Sequence, residues 1–253
     1  MALHNPDILH VLAVEGDTLV GLASGLIFEA GALEVTCVID PGDRRHGHAT
    51  ALLRRLLEQH GHGVTSLRAS IANGHDLARG WATRRGGAVL HREVTMRRTF
   101  VAEAAQPQGD ALTLRVATAD DAPALALLDA AAFGTERAEM QRRYQKTASD
   151  PDRRVWLAAH GGDVVGKLHA RRDRDHTVWV HDLCIDAFAR GRGWGREMVD
   201  RCTRALGDGA LRGPVDAVWL EVNADNTAAL ATYATCGYEI AREDDLYEIS
   251  ISR

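Results

Sequence analysis

Residues 178–207 read "VWVHDLCIDAFARGRGWGREMVDRCTRALG": an apolar run, an aspartate, an alternation of arginine with glycine, and then a helical pattern of apolar residues. The spacing predicts a buried strand that turns directly into a helix. A loop in that position presents backbone N–H groups without intrahelical partners at the positive end of the helix dipole. It is a ready anion site. Glycines at 191, 193 and 195 remove the Cβ atoms that would block close approach and permit unusual φ angles, while Arg190, Arg192 and Arg196 add charge. Arginine–glycine alternation also suits a disordered RNA-binding tail, so the rest of the chain has to decide between the two.

Composition argues against the tail. The chain has 253 residues, 45% of them hydrophobic and 26% charged, which is the make-up of an ordinary globular protein. A net charge of −5 repels phosphate on average, so no nucleic-acid partner is expected. The opening "MALHNPDILHVLAVEGD" lacks a basic stretch followed by a long apolar one, and no other segment approaches a membrane span; the expectation is a cytoplasmic protein without a membrane partner. Cys37, Cys184, Cys202 and Cys236 have no paired spacing and sit mostly in apolar segments, as buried free thiols do. His46-Gly47-His48 and His60-Gly61-His62 are not framed by Cys or carboxylates at metal-site spacing, so no metal is expected.

The layout of the opening segment occurs twice. Residues 33–61, "LEVTCVIDPGDRRHGHATALLRRLLEQHG", repeat it roughly 150 residues earlier, the length of a small domain. Each copy continues with a strand ("VTSLRASI" or "AVWLEVN"), a segment opening with Asn, a glycine and a final hairpin-like pair of strands. In the second copy these last strands are "YEIAR" and "LYEISIS", joined by "EDD"; in the first they fall within "AVLHREVTMRRTF". The second copy also has a preceding strand, two helices and a strand pair, whereas the first starts almost at once with strand, turn, strand. The Ala, Gln, Pro and Gly content of 101–111 reads as a linker. The expected division is 1–100, a truncated copy; 101–111, a linker; and 112–253, a complete copy. Leu52, Leu53, Leu56 and Leu57 form the apolar stripe of the first copy's helix.

Arg190-x-x-Gly193-x-Gly195 after a strand, followed by Asn226-x-x-Ala229 and by Tyr233-x-x-x-Gly237-Tyr238, resembles the two signature regions of the GNAT superfamily of N-acetyltransferases. Arg44-x-x-Gly47-x-Ala49 repeats the first signature, and the tandem layout is similar to that of the mycothiol synthase family. The resemblance implies an α/β fold of two tandem acyl-CoA N-acyltransferase domains. Each has a mixed, mostly antiparallel sheet flanked by helices, and the N-terminal copy is incomplete. It implies acetyl-CoA as co-substrate. The pyrophosphate would lie on Arg190, Gly191, Arg192, Gly193, Trp194, Gly195 and Arg196, with Asn226 nearby. The backbone of Leu183, Cys184 and Ile185 would hold the acetyl end. In the first copy Cys37, Val38 and Ile39 with Arg45, His46, Gly47, His48, Ala49 and Thr50 take the matching positions, and they either bind a second CoA or only complete the fold.

Direct transfer to an amine needs a base for the ammonium and a proton for the departing thiolate. Tyr233 matches the family position whose hydroxyl meets the CoA sulfur. Many members carry a Glu where this chain has Trp179; His181, two residues on and on the same face by strand alternation, is the candidate base, and Asp182 is expected on the opposite face. Trp179 and Glu136 are candidates to face the acceptor, and the acidic run Glu243, Asp244, Asp245 and Glu248 to attract a cationic one. Lys167, Arg171, Arg172 and Arg174 would equally favour an anionic one. Matching by sequence offset puts Leu33 and Val35 at the positions of Trp179 and His181, and Ala82 or Thr83 at that of Tyr233, so the second copy is expected to do the chemistry. The expected partner is a small-molecule or peptide amine, with the chain a monomer or homodimer. The specific alternatives are acetylation of a cysteinyl pseudodisaccharide, as in mycothiol synthesis, and a non-catalytic CoA-binding regulator.

Overall fold

The computed structural model describes residues 8–29, 31–60, 63–100, 111–173 and 177–251. The opening residues, most of the expected linker, Arg174 and part of the 60–62 histidine pair therefore lie outside the described residues. The chain divides into two compact units, Met1–Glu93 with Glu243–Arg253, and Val94–Arg242.

The first unit contains strands β1 (Leu9–Glu15), β2 (Thr18–Glu29) and β3 (Ala32–Ile39), helix α1 (His48–His60), strand β4 (Ser66–Ala72), helix α2 (Asp76–Arg84) and the start of β5 (Ala88–Thr99). An antiparallel meander of β1, β2 and β3 is followed by β4 parallel to β3. Alternate residues of the strands, Leu33, Val35, Leu67 and Ile71, bury against Leu52, Leu53 and Leu56 of α1, the stripe expected from the sequence. Replacing such a leucine with alanine costs about 2–5 kcal/mol. Among the described residues no helix stands between β1 and β3.

The second unit takes the rest of β5, then β6 (Thr113–Val116), α3 (Ala122–Phe133), α4 (Arg137–Thr147), β7 (Arg153–His160), β8 (Asp163–Arg172), β9 (Val178–Ile185), α5 (Trp194–Gly207), β10 (Ala217–Asn223), α6 (Thr227–Thr235) and the first residues of β11 (Glu239–Ser250). Its strand order is β5-β10-β9-β8-β7-β6, with β9 parallel to β10. One sheet face, including Leu168, Val178, Val180, Val218 and Leu220, packs on Met198, Val199, Cys202 and Leu206 of α5. The other packs Val155, Leu157 and Cys184 on Leu125 and Leu128 of α3 and on Met140 and Tyr144 of α4. Among the described residues, the first unit has no counterpart of these two helices.

Two sequence expectations need correction. The closing "hairpins" are single twelve-residue strands, β5 and β11. Residues Asp244 to Ser250 of β11 pair antiparallel with Ala72 to Ser66 of β4 in the first unit, where Tyr247 and Ile249 join the core. Glu243, Asp244 and Asp245 suggested a turn because charges at mid-strand are costly when unpaired. Here they are paired: Asp245 takes Arg92 at 2.8 Å, Glu243 accepts from Asn73 at 2.9 Å, and Glu248 takes Arg68 at 3.0 Å. The compact units consequently part inside β5 and β11, not at 101–111.

Candidate active site

The two glycine loops share one construction. Strand β9 ends at Ile185, a 3₁₀ turn spans Ala187–Ala189, and Asp186 caps that turn by accepting from the Phe188 amide at 3.3 Å. In the first unit Asp40 accepts from the Gly42 amide at 3.0 Å before the turn Pro41–Asp43. The Nε–H of Arg190 donates to Ile185 O at 3.1 Å, as that of Arg44 donates to Ile39 O at 3.2 Å. These arginines tie the loop to the strand end. Gly191 and Gly193 are left-handed at φ 75° and 81°, and their counterparts Arg45 and Gly47 at 68° and 90°. Both loops therefore turn their amides toward the helix start in the way an anion requires.

Within the loop the individual side chains differ in availability. Trp194 is buried, with its ring 4.4 Å from that of His160 and the Arg192 guanidinium 5.1 Å away, so only its backbone is available to a ligand. A Cβ on Gly195 would sit 3.5 Å from Ile185, an ordinary contact, and this glycine leaves the approach to the helix start open. Asn226 caps α6, accepting from the Ala229 amide at 3.1 Å, which accounts physically for the Asn-x-x-Ala spacing. In the first unit Glu15 stands 3.2 Å from His48, the first residue of α1, and places a carboxylate at that helix start.

Strand β9 parts from its parallel neighbour. The β9–β10 ladder joins Val178, Trp179 and Val180 to Val218, Trp219 and Leu220, whereas β9 runs on to Ile185. Beyond Val180 its backbone edge is open beside the loop, a slot shaped for an extended chain with amide groups. The β3–β4 ladder likewise stops at Glu34 and Arg68, with β3 running on to Ile39.

One feature distinguishes the two strands. On β9, Val180 pairs with Ala170 and Asp182 with His169, so His181 is an extra residue: a β-bulge. Val178 and Val180 face α5 before it, and Leu183 and Ile185 pack on the same side after it. The bulge exposes His181 and puts Asp182, with Cys184, on the sheet face away from Val178 and Val180, which is the face of Trp179; the sequence expectation had it on the opposite face from Trp179 and His181. The β2–β3 pairing runs from Val35 to Ile39 without such a break. Matched by facing and ladder position, Leu33 corresponds to Val178, Glu34 to Trp179 and Val35 to Val180, and His181 has no counterpart.

Around the bulge lie several titratable groups. His169 is buried, with its Nδ1 3.3 Å from Asp182 Oδ2 and its ring centroid 6.0 Å from that of His181. Burial pushes the Asp182 carboxyl up, but His169 and Lys167 outweigh it and hold the group at about 2. The His181 imidazole is lowered by partial burial first, then by Arg171 and His169, so it is neutral near neutral pH. Trp179 stacks on Trp219 at 5.8 Å, with Arg97 5.5 Å from the second ring.

Tyr233 lies buried on α6 in the cluster that includes Leu183 and Ile185, 5.9 Å from the Tyr238 ring. Desolvation pushes its hydroxyl up to about 12, which keeps it protonated. The Tyr238 amide donates to Tyr233 O at 3.0 Å, and the Gly87 amide donates to Ala82 O at 3.0 Å, which makes Ala82 the equivalent of Tyr233. The first unit lacks that hydroxyl.

Other candidate residues have partners within the fold. Glu136 caps α4, accepting from the amides of Ala138 at 3.0 Å and Glu139 at 2.6 Å. The acidic run is spent on β11. Lys167 is fully buried with Asp129 at 2.5 Å and Tyr144 OH, and Tyr144 donates to Asp129 at 2.5 Å. It cannot reach an acceptor in solvent. Arg171 pairs with Asp173 at 2.8 Å, and Arg172 donates to Leu211 O at 2.9 Å. Sequence reasoning missed His169, Asp129 and Tyr144, whose roles depend on side chains from separate elements meeting. Among the described residues no helix is long and apolar enough to cross a membrane.

Comparison with known proteins agrees with this geometry. The acetyltransferase (GNAT) family matches residues 120–238, within the copy that has both bulge and tyrosine. Mycothiol acetyltransferase from Streptomyces avermitilis is 31% identical over 94% of this chain and 79% of its own length, and that from Kytococcus sedentarius is 30% identical over 96% and 82%. A GCN5-related N-acetyltransferase from Sphaerobacter thermophilus has the same fold, with a TM-score of 0.81 at 20% identity over 96% of this chain and 81% of that one. So does a tandem GNAT protein from the clavulanic acid biosynthesis pathway, with a TM-score of 0.75 at 15% identity over 98% and 85%. The chain belongs to the GNAT family of acetyltransferases as a tandem member, an N-acetyltransferase that uses acetyl-CoA as co-substrate.

Proposed function

We propose that transfer takes place in the second unit, at the point where β9 bulges and leaves β10. The observation that carries this reading is the coincidence, among the described residues in that unit alone, of an anion loop, an open strand edge, an exposed histidine at a bulge and a buried tyrosine. The loop amides and Arg192 and Arg196 hold the pyrophosphate, and the backbone of Leu183, Cys184 and Ile185 holds the pantetheine arm and polarises the thioester carbonyl. His181, neutral at working pH, takes the proton of the acceptor ammonium and so exposes the lone pair that attacks the carbonyl carbon. Tyr233 donates a hydrogen bond to the sulfur as the C–S bond breaks. A phenol near 12 does not surrender its proton readily to a thiolate of pKa about 8.5, so stabilisation of the leaving charge outweighs full proton transfer.

The acceptor is a small-molecule amine. The tandem relatives named mycothiol acetyltransferase support the cysteinyl amine of a glucosaminyl-inositol conjugate, and the Trp179–Trp219 stack supplies a flat apolar surface suited to a sugar ring. The first unit keeps the loop and the open strand edge without the bulge or the tyrosine. It holds a second, weaker acetyl-CoA that does not turn over, weakened by the Glu15 carboxylate at the start of α1.

The test is Tyr233→Phe, assayed for CoA thiol release with the conjugate and for acetyl-CoA binding by titration. The expected result is a fall of about 10²-fold in kcat with two binding sites per chain retained. An unchanged rate, or binding without CoA release by the parent protein, overturns the catalytic reading, and a single site per chain overturns the role given to the first unit.

A further inference from the structure

We propose that His169, held by Asp182, is the second station of a proton route: it receives the proton that His181 takes from the acceptor ammonium. The inference rests on the assignment of His181 as the base.

The geometry carries it. His169 is 2% exposed, and its Nδ1 lies 3.3 Å from Asp182 Oδ2. A carboxylate only accepts, so this contact puts the ring proton on Nδ1 and leaves the lone pair on Nε2. Nε2 is buried without a protein hydrogen-bond partner among the described residues. A buried acceptor in that state is costly, and a group passing a proton to it repays the cost. The neighbouring imidazole is His181, with ring centroids 6.0 Å apart, close enough for a side-chain rotation or one bridging water to join the rings. The bulge produces the arrangement, since an unbroken β9 would put Asp182 on the other face of the sheet.

The charges around His169 match a group that rests neutral and is protonated only transiently. Asp182 and His181 face it from β9, Arg153 from β7, and Lys167 from its own strand, while Arg171 on that strand and Asp173 in the following turn act on His181. From α3 Asp129 pairs with Lys167, and from α4 Arg143 and Tyr144 interact with Asp182. Burial is the largest influence and lowers His169, with Asp182 opposing it.

The protons balance as follows. An N–H bond of the ammonium breaks and one forms at the free nitrogen of His181. The proton on the other nitrogen of His181 passes to His169 Nε2. His181 is then neutral in its other tautomer, and an imidazolium stands beside the Asp182 carboxylate. After acetyl transfer the same path returns the proton to solvent.

The experiment compares kcat for the parent, His169→Gln, Asp182→Asn and His181→Ala between pH 6.5 and 9.5, with the acceptor amine that supports CoA release by the parent. The relay is needed only while the acceptor is an ammonium, and an α-amino group titrates near 8. The expected result for His169→Gln is a deficit of about 10- to 100-fold at pH 6.5 that shrinks to within about threefold at pH 9.5, with acetyl-CoA affinity unchanged. Asp182→Asn, which keeps volume and an acceptor oxygen, should show a smaller deficit of the same pH shape. A deficit independent of pH indicates a structural role and overturns the relay, as does no deficit in His169→Gln while His181→Ala is impaired. If His181→Ala is itself unimpaired, the assignment of the base has failed and the relay with it.

Discussion

Arg45 shows at a single position what separates the two copies. It holds φ at 68°, where its counterpart Gly191 holds 75°. A side chain in the left-handed region costs about 1–2 kcal/mol, and a glycine there costs about 0.5–1 kcal/mol of unfolded-state entropy. Arg45→Gly is therefore expected to stabilise the protein by roughly 0.5 kcal/mol, raising Tm by a degree or two in a thermal melt; a lower Tm would contradict the strain. Positions of this kind were legible in the sequence, because glycine and arginine alternate where backbone conformation and charge are both constrained. His181 was legible as a histidine near the reaction but not as an inserted residue. Alternation counts side chains two by two, and a bulge that breaks the count leaves no mark in residue type. Asp182 and the counterparts of Leu33 and Val35 were misassigned for that one reason.

Elements meet through groups whose purpose the sequence does not announce. Lys167 read as a cation for an acceptor because its strand also carries Arg171 and Arg172. In the fold it is the bolt between β8 and helices α3 and α4, through Asp129 and the hydroxyl of Tyr144. Burial and Asp129 push that phenol far above its ordinary range, so it serves as a fixed donor. Removing one partner strands a buried charge. Lys167→Met is expected to destabilise by about 3–5 kcal/mol in urea unfolding, and Lys167→Met with Asp129→Leu to recover much of that loss, because the pair owes little to net attraction. A single substitution costing under about 1 kcal/mol would show that Asp129 finds another partner. The strands β5 and β11 were misread at this same scale. Charged residues at mid-strand look like turn material until Arg92, Arg68 and Asn73 are seen beside them.

At the scale of the whole chain, the copies recognised in the sequence and the units that fold are different sets of residues. Val94 and Met96 of β5 are buried in the core of the second unit, and Tyr247 and Ile249 of β11 in that of the first. A fragment cut at the sequence boundary, 112–253, lacks the former pair and exposes the latter. It is expected to be insoluble or to melt without a cooperative transition, whereas the intact chain melts cooperatively. A soluble, cooperatively folding 112–253 fragment would show that the crossing strands are dispensable.

The crossing strands also bear on how such a chain ages. A half that has neither the tyrosine nor the bulge is ordinarily free to vary and be deleted. Here deletion would take with it the partner on which Asp244 to Ser250 are laid down and the start of the strand that enters the other core. Each half supplies strand residues to the other's core, so with transfer assigned to the second unit, the first is kept as scaffold whatever its loop binds.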